Sequence, residues 1–152
     1  MSEKIKMSAS ELIQRYAQGE RNFKDADLSN ENLAGVNLEG IILAFADLSS
    51  ANLSSANLKN ADLKFANLEH SDLENADLSH TDLTGASFAH ANLKNADLSN
   101  AKIEADFRSA SLIGAKLSGA DLTNADFRGT KLKKEDFEGE EFEDAELIGV
   151  KI

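Results

Sequence analysis

The sequence predicts an all-β solenoid, and three observations carry the prediction. From Phe23 to Ile103 a large apolar residue returns every fifth position, and a small residue, usually Ala, stands two positions before it. Eight of the nine glycines, together with Asn30, Asn60, Asn75, Asn95, Asn100 and Asn124, fall on the second residue after that apolar centre. Proline is absent, as suits coils that pair through their backbone donors. A short fixed period takes precedence over local propensity, because it dictates how successive units stack.

A period of five matches neither the 3.6 of a helix nor the 2 of a strand. Within a unit, however, the small residue and the centre are two apart, so in extended backbone they face the same side while the intervening Asp or Asn faces the other. The remaining two residues must turn the chain so that the next pair again points inward. Gly and Asn tolerate positive φ, which explains their concentration at one corner position. Each unit is therefore an extended edge and a corner. Two pairs twenty residues apart, Phe45 with Phe65 and His70 with His90, point to four edges per coil, each pair stacking between neighbouring coils.

Taken in order, residues 1–7 read as a loose tail. Ser8 then opens a helix expected over about 9–18, with Glu11 placed for a capping box, Met7 and Leu12 for a hydrophobic staple, and Leu12, Ile13 and Tyr16 on one apolar face. Gly19 ends it. A solenoid has an open apolar end, and this helix is the candidate cap for it. Residues 1–20 thus form tail and capping helix, and 21–152 the repeats, in one domain. The register slips once: Phe107 follows Ile103 by four residues, so the unit 101–104 (AKIE) has lost a position and should make one irregular corner. The pattern then runs on to Ile152, giving twenty-seven units. Arg21, Glu31, Val36, Ile41, Thr130, Glu135, Glu140 and Val150 replace the small residue. The carboxylates at 135 and 140 should distort or open the last coils, since a buried unpaired charge is costly.

The repeated Ala-(Asp/Asn)-Leu-x-x from Ala26 onward resembles the pentapeptide-repeat family, and so does the opening ELIQRYAQGERNF, which is similar to that of many bacterial, notably cyanobacterial, members. The resemblance covers about 130 residues. It implies a right-handed quadrilateral β-helix with centre and Ala side chains inward. Twenty-seven units would make between six and seven coils, a rod ~30 Å long at strand spacing.

Composition narrows the function. The chain has no Cys, so disulfides and thiolate chemistry are out. Net charge is −11, which disfavours direct nucleic-acid binding. The start, MSEKIKMSAS, lacks an apolar signal core, and no later run is long enough to span a membrane, so a cytoplasmic location is expected. His70, His80 and His90 stand at corners and are expected to be solvated rather than metal ligands. No Ser has a His and an acid placed for a triad, and a solenoid this regular is expected to lack a concave pocket. The expectation is a protein without catalytic, cofactor or metal residues.

Two surface features remain as an interaction patch. Phe45 and Phe65 are aromatics on one outward corner. The acidic end, Glu138, Glu141, Glu143, Asp144 and Glu146 with Glu135, Asp136 and Glu140, either meets a basic partner or keeps the last coil soluble. The preferred reading is a scaffold presenting polar faces to a protein partner, as a monomer or an end-on homodimer. The alternative comes from the resemblance: the family includes quinolone-resistance proteins that protect DNA gyrase as acidic mimics of duplex DNA. This chain departs from them in outward Lys59, Lys64, Lys94, Arg108, Arg128 and Lys131, and in repeats that continue to Ile152.

Overall fold

The computed structural model describes residues 4–132 and Lys151. The interaction residues proposed at 138, 141, 143, 144 and 146 lie outside them, as do the departures at 135, 140 and 150.

The coil closes in four edges. Outward residues pair in parallel with those twenty positions on: Asn22 with Ile42, Asp27 with Asp47, Asn32 with Asn52, Asn37 with Asn57, and so along each face. One unit explains the repeat. In residues 46–50, the Ala46 N–H donates to Leu43 O (3.0 Å), closing a turn, and the Asp47 N–H donates to Ala26 O (2.8 Å) in the coil before. Leu48 and Ser50 donate to Asn67 O (2.7 Å) and Glu69 O (2.9 Å) in the coil after. The fifth N–H, of Ser49, donates to the carboxylate Oδ1 of Asp47 (2.9 Å). All five donors are satisfied, as buried backbone requires. That fifth bond is why the outward position is Asp or Asn: the side chain closes its own corner as an Asx turn.

The corners turn through left-handed backbone. Every corner from Asp25 to Gly129 has positive φ, except the shortened unit. The requirement extends to residues that take this conformation reluctantly: Phe45, Phe65, His70, His80 and His90 sit at φ between 56° and 61°. The shortened unit has no left-handed residue near Glu104, and below it the pairing interval drops to nineteen for four bridges, from Ser87–Asp106 to Lys102–Asp121. Asp106 and Asp126 are again twenty apart. One corner is tightened and the stack continues, as the sequence implied. A second change is larger: Asp126 pairs with Lys151, twenty-five residues on, where the repeat predicts Glu146.

Inside, centres and small residues form one continuous core. Leu28 through Leu98 are fully buried at every centre, and Phe88, Phe107 and Phe127 stack in a ladder with ring centroids 4.9 and 5.1 Å apart. Ser71 and Thr81 replace Ala without an unpaired polar atom, because their hydroxyls donate to Leu68 O and Leu78 O (both 2.6 Å). Ile41 is buried in place of Ala, and Thr130 donates to Phe127 O (2.7 Å).

The N-terminal reading needs two corrections. Residues 5–7 are not loose: β1 (Ile5–Lys6) pairs in parallel with β2 (Ala26–Asp27), and the Met7 N–H donates to Asp27 O (2.9 Å). The first coil offers unpaired backbone groups on its upper edge, and this segment satisfies them. Helix α1 (Ala9–Ala17) follows, with the Ser8 hydroxyl accepting from the Glu11 N–H (3.2 Å). Only half the capping box forms, since the Glu11 carboxylate turns to Arg15 (3.3 Å). Leu12 and Met7 are buried and Tyr16 packs on the core, but Ile13 lies outside the apolar face and is exposed, because the helix rests on the 9–12–16 stripe. Glu31 accepts from the Ala9 N–H (2.8 Å), tying α1 to the first coil. Arg21 stacks its guanidinium 3.8 Å from the centre of the Tyr16 ring.

Candidate functional site

Two corners of the rod carry side chains that the winding itself does not require. On the first, Phe45 and Phe65 stack one coil apart, with centroids 5.0 Å apart and planes 16° from parallel. They are 42% and 53% exposed. The Lys24 ammonium lies 5.2 Å from the Phe45 ring centre. Gly85 continues the same corner, and a Cβ there would collide with the Phe65 ring. The neighbouring coil thus makes room for the aromatic instead of covering it, which leaves the pair open to solvent.

On the next corner His70 and His90 stack in the same way, with centroids 5.0 Å and planes 5° apart. His80 is on another corner, as the twenty-residue coil predicts. Among the described residues no group of three or more His, Cys, Asp or Glu is arranged to hold a metal ion. The expectation of no concavity requires correction. Beside the imidazoles lies a shallow depression of about 580 Å³, widely open to solvent. Glu69, the two imidazoles, Arg108 and Arg128 line it together with the smaller Ala89, Ser109 and Gly129.

The arginines are held in place. Arg108 donates from Nε and Nη2 to the Asp106 carboxylate, with Nη2 at 2.7 Å, and Arg128 does the same to Asp126, also at 2.7 Å. The fork geometry is bidentate and charge-assisted. Arg128 holds the Asp126 carboxyl down to about 2, and Arg108 lowers that of Asp106. Glu69 accepts from the Ser87 hydroxyl (3.0 Å). The sequence reading counted these arginines only as dilution of acidic faces. The signal was present: the tetrapeptide ADFR occurs at 105–108 and again at 125–128, one coil apart.

The other carboxylates serve the fold. Ser29 holds the Asp27 carboxyl below its usual range by hydroxyl and backbone donation, and Thr123 does the same for Asp121. At Asp82 burial is the largest influence and opposes ionisation, yet the donors of Thr84, with Lys102 and Lys64 nearby, outweigh it. Among the described residues every buried side-chain polar atom has a partner, and no helix is long and apolar enough to cross a membrane.

Comparison with known proteins agrees with this architecture. A family model described as pentapeptide repeats, in eight copies, matches residues 22–60, 61–100 and 103–139. The crystal structure of a pentapeptide repeat protein (Rfr23) from the cyanobacterium Cyanothece 51142 shares 29% identity over 89% of this chain and 97% of that one, with a TM-score of 0.68. A pentapeptide repeat protein from Nostoc PCC 7120 shares 33% identity over 95% of this chain and all of its own, with a TM-score of 0.50. Another, from the Arabidopsis thaliana thylakoid lumen, shares 33% identity over 71% of this chain and 72% of its own, with a TM-score of 0.49. No curated protein matches the chain.

Proposed function

This chain belongs to the pentapeptide-repeat family, and from that premise we propose that it is a non-enzymatic scaffold, a stiff rod that binds a protein partner through side chains on its corners. The finer architecture we infer is a right-handed winding of between six and seven coils, with α1 as the cap of the upper end. The twenty-residue bridges and the burial of Met7 and Leu12 in the common core support it.

The observation that carries the functional reading is the Phe45–Phe65 stack. Elsewhere the corner is mostly Gly, Asn or Ser, so the fold has no need of an aromatic there. A left-handed L-residue costs roughly 1–2 kcal/mol, and this conformation is paid for twice by rings that stay open to water. Exposed aromatic surface on a rigid support is the chemistry of a binding hot spot.

The test uses Phe45→Asn with Phe65→Asn, since Asn already occupies equivalent corners. Affinity capture from the native cell with the parent chain should enrich a protein that the double variant loses, while both chains melt alike. If the two recover the same proteins in equal yield, this corner is not the contact surface.

The alternative, an acidic mimic of duplex DNA recognised by an enzyme such as gyrase, requires a continuous negative stripe. The outward ladders are mixed in sign and type: Asn22, Ile42, Asp62, Asp82, Lys102 and Asp121 form one, and Asn32, Asn52, Asp72, Asn92 and Ser111 another. On the face with most acids, Asp106 and Asp126 are paired to arginine. The scaffold reading is therefore the better supported, and gyrase supercoiling unaffected by the chain would agree with it.

A further inference from the structure

From Ile41 to Ala125 every small position of the repeat is uncharged and buried. The shaft has no donor to spare there. The backbone N–H at that position already donates to the preceding centre's carbonyl, as Ala115 does to Leu112 O and Ala120 to Leu117 O (both 3.0 Å). Ser71 and Thr81 fit because each brings its own proton to a carbonyl. A carboxylate brings none. Glu31 shows the same rule from the open end: it holds a small position in the first coil, and its carboxylate reaches out to the Ala9 N–H (2.8 Å) and toward Lys6 (3.9 Å).

We propose that Glu135 and Glu140 end the regular winding, and that the chain for this reason rejoins the lower edge of the rod at Lys151 instead of Glu146. Continued twenty-residue coils would set these two carboxylates beneath Ala115 and Ala120, inside the shaft and without a donor. Thr130, just before them, still obeys the column rule, its hydroxyl donating to Phe127 O (2.7 Å). The apolar spacing alone favours the regular register. Ala145, Glu146 and Leu147 repeat the small, outward and centre residues, whereas Val150 is bulky for a small position. Yet Lys151 is the residue under Asp126: its N–H donates to Ala125 O (3.0 Å) and its carbonyl accepts from the Phe127 N–H (2.7 Å). Magnitudes explain the choice. Burying an unpaired carboxylate costs far more than lengthening a loop by about five residues. The outward column then agrees with the new register. Lys151 faces Asp126 below Asp106, where Glu146 would bring a third carboxylate, and at the opposite end of the same face Lys6 stands 3.5 Å from Asp27.

The chain has no cysteine, so paired substitutions report register directly. Ala125→Cys with Val150→Cys reads the register of the structure, and Ala125→Cys with Ala145→Cys reads the regular one. Residues stacked on adjacent coils are ~4.8 Å apart, within disulfide reach. Full-length chains are oxidised mildly and the cross-linked peptides counted by mass spectrometry. In the parent, closure is expected at 125–150. Adding Glu135→Ala with Glu140→Ala should move it to 125–145, changing the ratio of the two by roughly tenfold or more. Glu135→Ser with Glu140→Thr, which copies the residues at 71 and 81, should do the same. Glu138→Ala with Glu141→Ala removes equal charge from positions that face away from the shaft in a regular coil, and should leave closure at 125–150. Three results would each overturn the proposal: a parent that does not close at 125–150, closure at 125–150 persisting in both probes, or a shift as large in the 138 and 141 control.

Discussion

Asp or Asn at the outward position is a corner-closing residue before it is a surface residue. Its Oδ1 takes the N–H two positions on, from Ser29 to Arg128 along the rod, and where a Ser or Thr follows it can take the hydroxyl too, as at Asn52, whose Oδ1 accepts from Ser54 N and Oγ at 3.0 and 2.7 Å. Asn52→Ala should therefore cost about 1 kcal/mol, measured by urea unfolding, whereas Asn52→Asp should be nearly neutral. At Asp126 the charge also matters. Its carboxyl is lowered to about 2 by Arg128, against an ordinary value of ~3.9 in the unfolded chain. A carboxyl lowered on folding stabilises above its unfolded value and loses that contribution as pH falls through the folded one. Stability should thus decline between about pH 4 and pH 2, and Asp126→Asn, which keeps the acceptor, should flatten that decline in unfolding curves taken across the range. From the sequence the regular outward Asp and Asn positions read as solvated or turn-bonding groups, and the corner bonds decide for the turn; the sequence alone left the two open, because the bond runs from a side chain to its own corner and leaves no periodic mark of its own. The same limit hid Arg108 and Arg128: their significance lies in which column they share, and one lost residue shifts that column by one number.

At the level of elements, α1 and the corners differ in what holds them. The helix has nine residues, too few to persist alone. Burial of Leu12 and the bond from Ala9 N–H to Glu31 fix it on the first coil. Glu31→Ala should cost about 1 kcal/mol, as loss of a helix cap does, and hydrogen exchange should show faster opening of α1 with the repeats unaffected. The sequence reading took Glu31 as a defect in the small-residue column, when it is the joint between helix and rod. Its role was not legible because the partner is a backbone N–H twenty-two residues away. The corner at Gly85 combines positive φ with the Phe65 ring above it. Gly85→Ala should lower stability by about 1–2 kcal/mol through backbone strain and displace Phe65, which near-ultraviolet dichroism or aromatic resonances would register.

For the whole molecule, the decisive property is that each coil touches only its neighbours. Stability then behaves as a sum of coil and interface contributions. The Phe88–Phe107–Phe127 ladder ties coils on both sides of the shortened unit, so it steadies the one place where the stacking interval changes. Phe107→Ala should cost about 3–5 kcal/mol. In hydrogen exchange the loss of protection should spread from the coils around Phe107 to those below before it reaches α1. A loss confined to one unit would contradict this nearest-neighbour picture. The solenoid, its four-sided coil and the slip at 101–104 were all legible from period five, because a lattice repeats its constraints. The change at Asp126–Lys151 was not, since the repeat itself continues unbroken across it.

The five satisfied donors of a unit such as 46–50 have a consequence for company. A sheet edge ordinarily invites another strand to zip against it, which is how many β proteins clump or swap segments. Along the flanks of this rod such units have already spent every N–H within the chain, so a passing peptide finds no ladder to join. Whatever associates sideways must do so with side chains, and the flanks can stay crowded among neighbours in a cell without becoming templates for fibres.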